Sequence, residues 1–243
     1  MLVFIQVNKL RRENLIFSFK YMAIINNSKK FVFVHVPKAA GTSVTNALSK
    51  YTTYQDLEIG ATHFGEKIQP AYKKRFGLGK HTPASGIRSV IGKDKWDEMF
   101  TFSIVRNPYD RIISTFKFLN KWEGTPEKYK EDLRKFKNIN EYILSDIWEE
   151  SDGPDYIFKP QTFWLTDEED RSKVIVDYVG KLETIDSDLA KIMSKIEDIK
   201  IDFFESPQLN KTEGKFELSI NSIEKINRVY DRDFGFWDYE KII

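Results

Sequence analysis

The chain has 243 residues, of which 41% are hydrophobic, 14% aromatic and 31% charged, a profile that can close a packed core and excludes disordered, fibrous and collagen-like classes. Lys and Arg number 38 against 37 Asp and Glu, for a formal charge of +1, so no global field draws the chain to nucleic acid or an acidic membrane and any anion site must be local. Cysteine is absent and there are three histidines; disulfides, thiolate nucleophiles and Cys-ligated metals are excluded, and a metal centre would need mostly carboxylates.

Residues 1–21 form a poorly patterned N-terminal extension, and residues 22–243 are expected to form one domain, with no repeat or low-complexity linker to divide them. No apolar run approaches the roughly 18 residues of a membrane span, which points to a cytoplasmic protein. Phe31 to Val36 is a β-branched and aromatic run of strand length, followed by Pro37 and Gly41 and then by Val44, Ala47, Leu48 and Tyr51 at helical spacing. Seven Lys or Arg and no Asp or Glu lie between Lys67 and Lys93, a local basic segment suited to steering an anion, or simply a solvated surface. Thr101 to Arg106 repeats the plan: a strand meets Asn107-Pro108, where Asn can cap and Pro can open a helix carrying Ile112, Ile113 and Phe116 inward.

Helices are expected over about Lys128–Phe136, Ile139–Trp148 and Ile220–Tyr230. The acidic run Asp167 to Asp170 reads as a solvated turn. A third strand is expected at Lys173–Val179, before a helix with Leu189, Ile192, Met193 and Ile196 on one face. The tail with Phe234, Phe236, Trp237 and Tyr239 is too aromatic to lie loose in water and should pack on the core. Strands alternating with helices predict an α/β domain with a short parallel sheet flanked by many helices.

Two segments carry chemistry. Pro37-Lys38-Ala39-Ala40-Gly41-Thr42-Ser43 lies between a strand and a helix, where free amides, small residues, a lysine and two hydroxyls make an anion cradle. The lysine precedes the glycine, so this is not a Walker A loop; a plain strand-to-helix turn capped by Ser or Thr is the other reading. Arg106 stands where a parallel strand ends, the edge at which open α/β sheets bind ligands. Ser114, about two helical turns on, can reach the same anion. A local Arg106–Asp110 pair and an ordinary helix-surface Ser114 are the alternative. Trp122, Trp148 and Trp164 are core residues by default, with sugar stacking as the functional option.

Together, HVPKAAGTS and, about 60 residues later, IVRNPYDRIISTF resemble the 5′-phosphosulfate loop and the 3′-phosphate-binding strand and helix of sulfotransferases that use 3′-phosphoadenosine 5′-phosphosulfate (PAPS). The carbohydrate branch, heparan 2-O-like, bacterial and Golgi-type, is the most similar. Weaker echoes lie at Pro160-Gln161, Trp164-Leu165, Val179 to Glu183, Leu209 to Thr212 and Tyr230 to Phe236.

The resemblance implies a P-loop-like three-layer fold and transfer of a sulfuryl group from PAPS to a hydroxyl, chiefly on a carbohydrate. Lys38, Ala39, Ala40, Gly41, Thr42 and Ser43 would hold the 5′ end of the donor, and Arg106 and Ser114 its 3′-phosphate. Lys38 would neutralise the leaving oxygen; no magnesium clamp is required, because the sulfuryl group carries less charge than a terminal phosphoryl group. Histidine suits the base that takes the acceptor proton. His81, in a Lys-His-Thr stretch similar to the one where the family places its base, is the first candidate and His63, expected in a polar loop, the second; His35, inside the first strand, reads as a core histidine. A kinase with an atypical phosphate loop and a magnesium carboxylate such as Asp177 remains open, as does a non-catalytic nucleotide- or glycan-binding module.

Overall fold

A computed structural model describes residues 23–60, 62–149, 156–199 and 217–243. The N-terminal extension and the Leu209–Thr212 echo lie outside the described residues. Five strands, β1 (Ala23–Asn26), β2 (Phe31–Val34), β3 (Leu57–Ile59), β4 (Phe100–Val105) and β5 (Tyr178–Lys181), form one sheet in the order β3-β1-β2-β4-β5. The half that carries the motifs is parallel, β2 beside β4 and β4 beside β5, whereas β1 runs antiparallel to β2 and β3. The helices are α1 (Gly41–Ser49), α2 (His63–Phe76), α3 (Ala84–Ile91), α4 (Lys93–Asp97), α5 (Pro108–Lys121), α6 (Glu127–Lys135), α7 (Ile139–Leu144), α8 (Thr162–Leu165), α9 (Ile185–Met193), α10 (Ile220–Val229) and α11 (Asp231–Phe236). None of the described helices is long and apolar enough to cross a membrane.

Side chains alternate across the sheet, so the same strands feed two cores. Phe31, Phe33, Phe102 and Ile104 pack against Val44 and Leu48 of α1 and Ile185, Leu189 and Ile192 of α9. Val32, Val34 and Val105 point the other way, to Ile87 of α3, Trp96 of α4, Trp164 of α8 and Trp237. Each such aliphatic or aromatic side chain contributes roughly 1.5–3 kcal/mol of burial, and the result is the three-layer α/β arrangement. A third core, built on Tyr109, Ile112 and Leu119 of α5 with Tyr142, Trp148, Ile226, Tyr230 and Phe234, joins the helices beyond β4. The aromatic tail packs down, Phe234 into this core and Trp237 against the sheet.

The third predicted strand is displaced. Lys173 to Val176 is not in the sheet; Val174 makes an isolated bridge to Thr166. Asp177 then takes the Thr101 amide and hydroxyl with its carboxylate at 2.7 and 2.8 Å, and regular pairing starts only at Tyr178. The strand can run on through Gly180 because a Cβ there would meet Ile104 Cδ1 at 2.8 Å and Asp188 Cβ at 2.9 Å. The helix expected to reach Trp148 stops at Leu144, where Lys225 Nζ donates to the carbonyls of Leu144 and Ser145. β2 ends at Val34, so His35 lies just past the strand and not inside it.

Candidate active site

The loop between β2 and α1 is held in a conformation that side chains normally avoid. Lys38 and Ala40 both have left-handed backbones, with φ of 65° and 63°, at a cost of roughly 1–2 kcal/mol each. α1 starts without a side-chain cap, and among the described residues no backbone N–H from Lys38 to Thr42 donates to a backbone acceptor. Backbone amides in such a turn, at the head of a nine-residue helix, can take an anion. Neither Thr42 nor Ser43 caps the helix, so the reading as a plain capped turn does not describe this loop.

Gly41 is required by close packing: a Cβ there would fall 1.7 Å from His35 Nε2. Gly41→Ala should therefore displace either the His35 ring or the loop and cost about 1–3 kcal/mol. A thermal melt should show a fall of several degrees, about 2–4 °C per kcal/mol for a chain of this size; an unchanged midpoint would contradict the packing.

Lys38 is half-buried and its Nζ rests 4.0 Å above the Phe118 ring of α5. Burial, reinforced by the positive charges of Arg106 and Arg111, lowers its pKa to about 7. These two arginines thus share one electrostatic environment with Lys38. Arg111 is fully buried, and its Nε and Nη2 donate to the carbonyls of Pro37 (3.1 Å) and Ile157 (3.0 Å). It ties α5 to the first residue of the loop. Ser114, three residues after Arg111 and four before Phe118, is half-buried on the helix face that carries both of them.

Arg106 follows β4 directly. Its own peptide is clasped by Gln161, whose Oε1 accepts from the Arg106 N–H and whose Nε2 donates to the Arg106 carbonyl, both at 2.8 Å. Asp233, fully buried, fixes this region in turn by accepting the amides of Gln161 (2.7 Å) and Thr162 (3.0 Å). Burial pulls the Arg106 guanidinium below its ordinary pKa, while Asp110 and Glu183 support its charge.

His81 stands beside the loop, its ring centroid 4.7 Å from that of His35. Nδ1 lies 3.2 Å from the His35 carbonyl, which can only accept, so Nδ1 carries the proton and Nε2 the lone pair. Burial, then the charge of Lys80, drives the pKa down to about 3, and the imidazole is neutral at physiological pH. A cleft of about 370 Å³ opens at His81 and is lined also by Gln69, Lys73, Lys80, Tyr156, Phe163 and Arg171.

A basic loop, a strand-end arginine and a neutral histidine at a cleft can hold a nucleotide-borne anion and accept a proton beside it. A family model described as the sulfotransferase family matches residues 21–240. The chain belongs to the sulfotransferase family. An uncharacterised protein of Archaeoglobus fulgidus is 29% identical over 114 residues, covering 47% of this chain and 81% of that protein. No solved structure matches.

In this sulfotransferase the remaining sequence candidates separate. His63 is the first residue of α2, whose cap is Thr62; it is exposed and in a helix, not a loop, and does not line the His81 cleft. Trp148 and Trp164 are buried, their Nε1 atoms donating to the Ile143 and His81 carbonyls, so neither presents a face to a sugar. Trp122 is half-buried and stacks on Phe118. Of the acidic run, Asp167 is not simply solvated: it pairs with Arg88 at 2.7 Å. Asp177 sits at the start of β5, the sheet edge opposite the loops, where it binds Thr101.

Arg111, Gln161 and Asp233 were absent from the sequence-level site. Arg111 carried a signal, since it falls among Pro108, Ile112, Thr115 and Leu119 on the buried face of α5. A cation at a core position needs a fixed acceptor.

Proposed function

We propose that this sulfotransferase uses PAPS as donor and a carbohydrate hydroxyl as acceptor, within one domain over residues 22–243. The observation that carries the donor reading is that the Lys38 loop and Arg106 follow the same ends of the adjacent parallel strands β2 and β4, with the Arg106 charge among the causes that lower the Lys38 pKa. One molecule with phosphates at both ends of an adenosine suits such a pair. The loop amides with Lys38, Thr42 and Ser43 would take the 5′ end, and Arg106 with Ser114 the 3′-phosphate.

PAPS supplies an activated sulfuryl group whose bond to the phosphate oxygen breaks as the acceptor oxygen attacks in line. Lys38 is the cation within the loop and neutralises the charge that grows on the departing oxygen. His81 Nε2 accepts the proton of the acceptor hydroxyl, and Nδ1–H, held by the His35 carbonyl, keeps that tautomer. Lys73, Lys80 and Arg171 outnumber Glu168 in the lining of the cleft, and Tyr156 and Phe163, tilted at 38° with ring centroids 5.6 Å apart, offer apolar faces for a sugar ring.

Adenosine 3′,5′-bisphosphate at about 100 times its Kd should stabilise the fold by about 2.7 kcal/mol, a rise of roughly 5–10 °C in melting temperature, and ATP with magnesium should do much less. Arg106→Ala should abolish that preference. Stronger stabilisation by ATP with magnesium would overturn the donor reading.

A further inference from the structure

Beyond the groups assigned to the donor, the turn that carries Arg106 is held from a second side. Glu183, just after β5, accepts the Asn107 N–H with Oε1 at 2.7 Å and the Tyr239 hydroxyl with Oε2 at 2.8 Å. Burial, with the Glu183 carboxylate, pushes the Tyr239 phenol well up, so it remains a donor. Gln161 already holds both polar atoms of the Arg106 peptide; Glu183 fixes the next one.

The C-terminal tail is stitched to the same region. Lys181 Nζ lies 4.8 Å from the Tyr239 ring centre and donates to the Asp238 carbonyl at 3.4 Å. Further along, the Ile242 N–H donates to Tyr109 Oη, in the first turn of α5, at 2.9 Å, and Asn227 Nδ2 donates to the Ile242 carbonyl at 2.9 Å. The tail therefore reaches the head of α5 twice, once directly and once through Glu183.

We propose that Glu183 and Tyr239 are positioning residues for the 3′-phosphate of the donor: the carboxylate bridges the Asn107 amide that precedes α5 and the tail, and so fixes the turn from which Arg106 reaches that phosphate. The inference rests on the donor reading above. A carboxylate cannot itself ligate a phosphate, so Glu183 acts through backbone geometry and by supporting the Arg106 charge, as Asp110 also does. Because the hydrogen bonds of Glu183 are exposed, their loss should alter alignment far more than global stability.

Titration calorimetry with adenosine 3′,5′-bisphosphate and with adenosine 5′-phosphate separates these effects. Glu183→Ala should weaken the bisphosphate by about tenfold and Tyr239→Phe by severalfold, with the 5′-phosphate changed by less than about twofold. Glu183→Gln, whose amide can still accept from Asn107 and donate to Tyr239 but which no longer supports the Arg106 charge, should weaken the bisphosphate by only about two- to threefold, well short of Glu183→Ala. Equal weakening of both nucleotides, or a 3′-phosphate preference intact in every variant, overturns this inference alone. A wild-type chain with no such preference overturns the donor reading, and this inference with it.

Discussion

Replacing His81 with alanine should lower turnover by about 10²–10⁴-fold, while affinity for adenosine 3′,5′-bisphosphate changes by less than about threefold. The imidazole lines the cleft and has its protonated nitrogen fixed by the His35 carbonyl at 3.2 Å. Its low pKa, about 3, arises from burial and then from Lys80, so the free enzyme never lacks the neutral form near pH 7. A bound anionic donor offsets the neighbouring cations and raises its basicity when the acceptor is in place. The acid limb of kcat/KM, which reports the free enzyme, should accordingly fall well below the ordinary histidine value of 6.5. Because the folded pKa lies below the unfolded one, the unfolded chain binds more protons between about 3 and 6.5, and stability falls as the pH drops through that window. Retention of near-wild-type turnover by His81→Ala would move the base elsewhere, with His63 next to be tested.

Lys38→Met should cost about 10²–10³-fold in kcat, the usual loss when one group that stabilises developing negative charge is removed. The wild-type lysine also gives a pH signature. Its pKa is lowered from 10.5 to about 7, by burial first and then by Arg106 and Arg111. In the ligand-free protein the unfolded chain binds the extra proton between these values, so stability should rise with pH across that range. Affinity for adenosine 3′,5′-bisphosphate should move the opposite way, weakening by about tenfold per pH unit above 7, because the anion prefers the ammonium form. Calorimetry at pH 8 in buffers of different ionisation enthalpy should detect proton uptake on binding. In Lys38→Met both the uptake and the pH dependence should vanish; uptake that persists in the variant would assign the proton to another group.

The parts of the fold that could be read from sequence are those where local chemistry and tertiary position agree. FVFV and TFSIV are buried on both faces, apolar throughout in the first and with only the small polar Thr101 and Ser103 in the second, and each meets Pro or Gly before a helix with a clear apolar stripe. The strands β1 and β3 have four and three residues, too few for a period to emerge. α2 was missed for the opposite reason: it buries little beyond Gly65 and carries Lys67, Lys73, Lys74 and Arg75, so its helix has no core-facing pattern to read. At the start of β5 Asp177 adds side-chain bonds to Thr101 beside its own backbone bond to the Thr101 carbonyl, a contact that the apolar run alone did not imply.

At the candidate site, Lys38, Arg106 and Ser114 were named from residue type and place between elements, and His81 from the resemblance. Their supports were not. Gln161 acts on a residue 55 positions away and Asp233 on one 72 away, and no local pattern encodes such distances. The left-handed backbones of Lys38 and Ala40 were equally hidden, because glycine is the usual occupant of that conformation. Arg111, quoted within its motif but given no role, turns out to be the brace that joins α5 to Pro37.

The central claim is that one nucleotide spans the Lys38 loop and Arg106, and a crystal structure with adenosine 3′,5′-bisphosphate bound tests it most directly. The 5′-phosphate should lie on the amides of residues 38–43, with the 3′-phosphate on the Arg106 guanidinium and the Ser114 hydroxyl. A nucleotide that engages only one of the two positions, or that lies instead in the His81 cleft, would contradict the account.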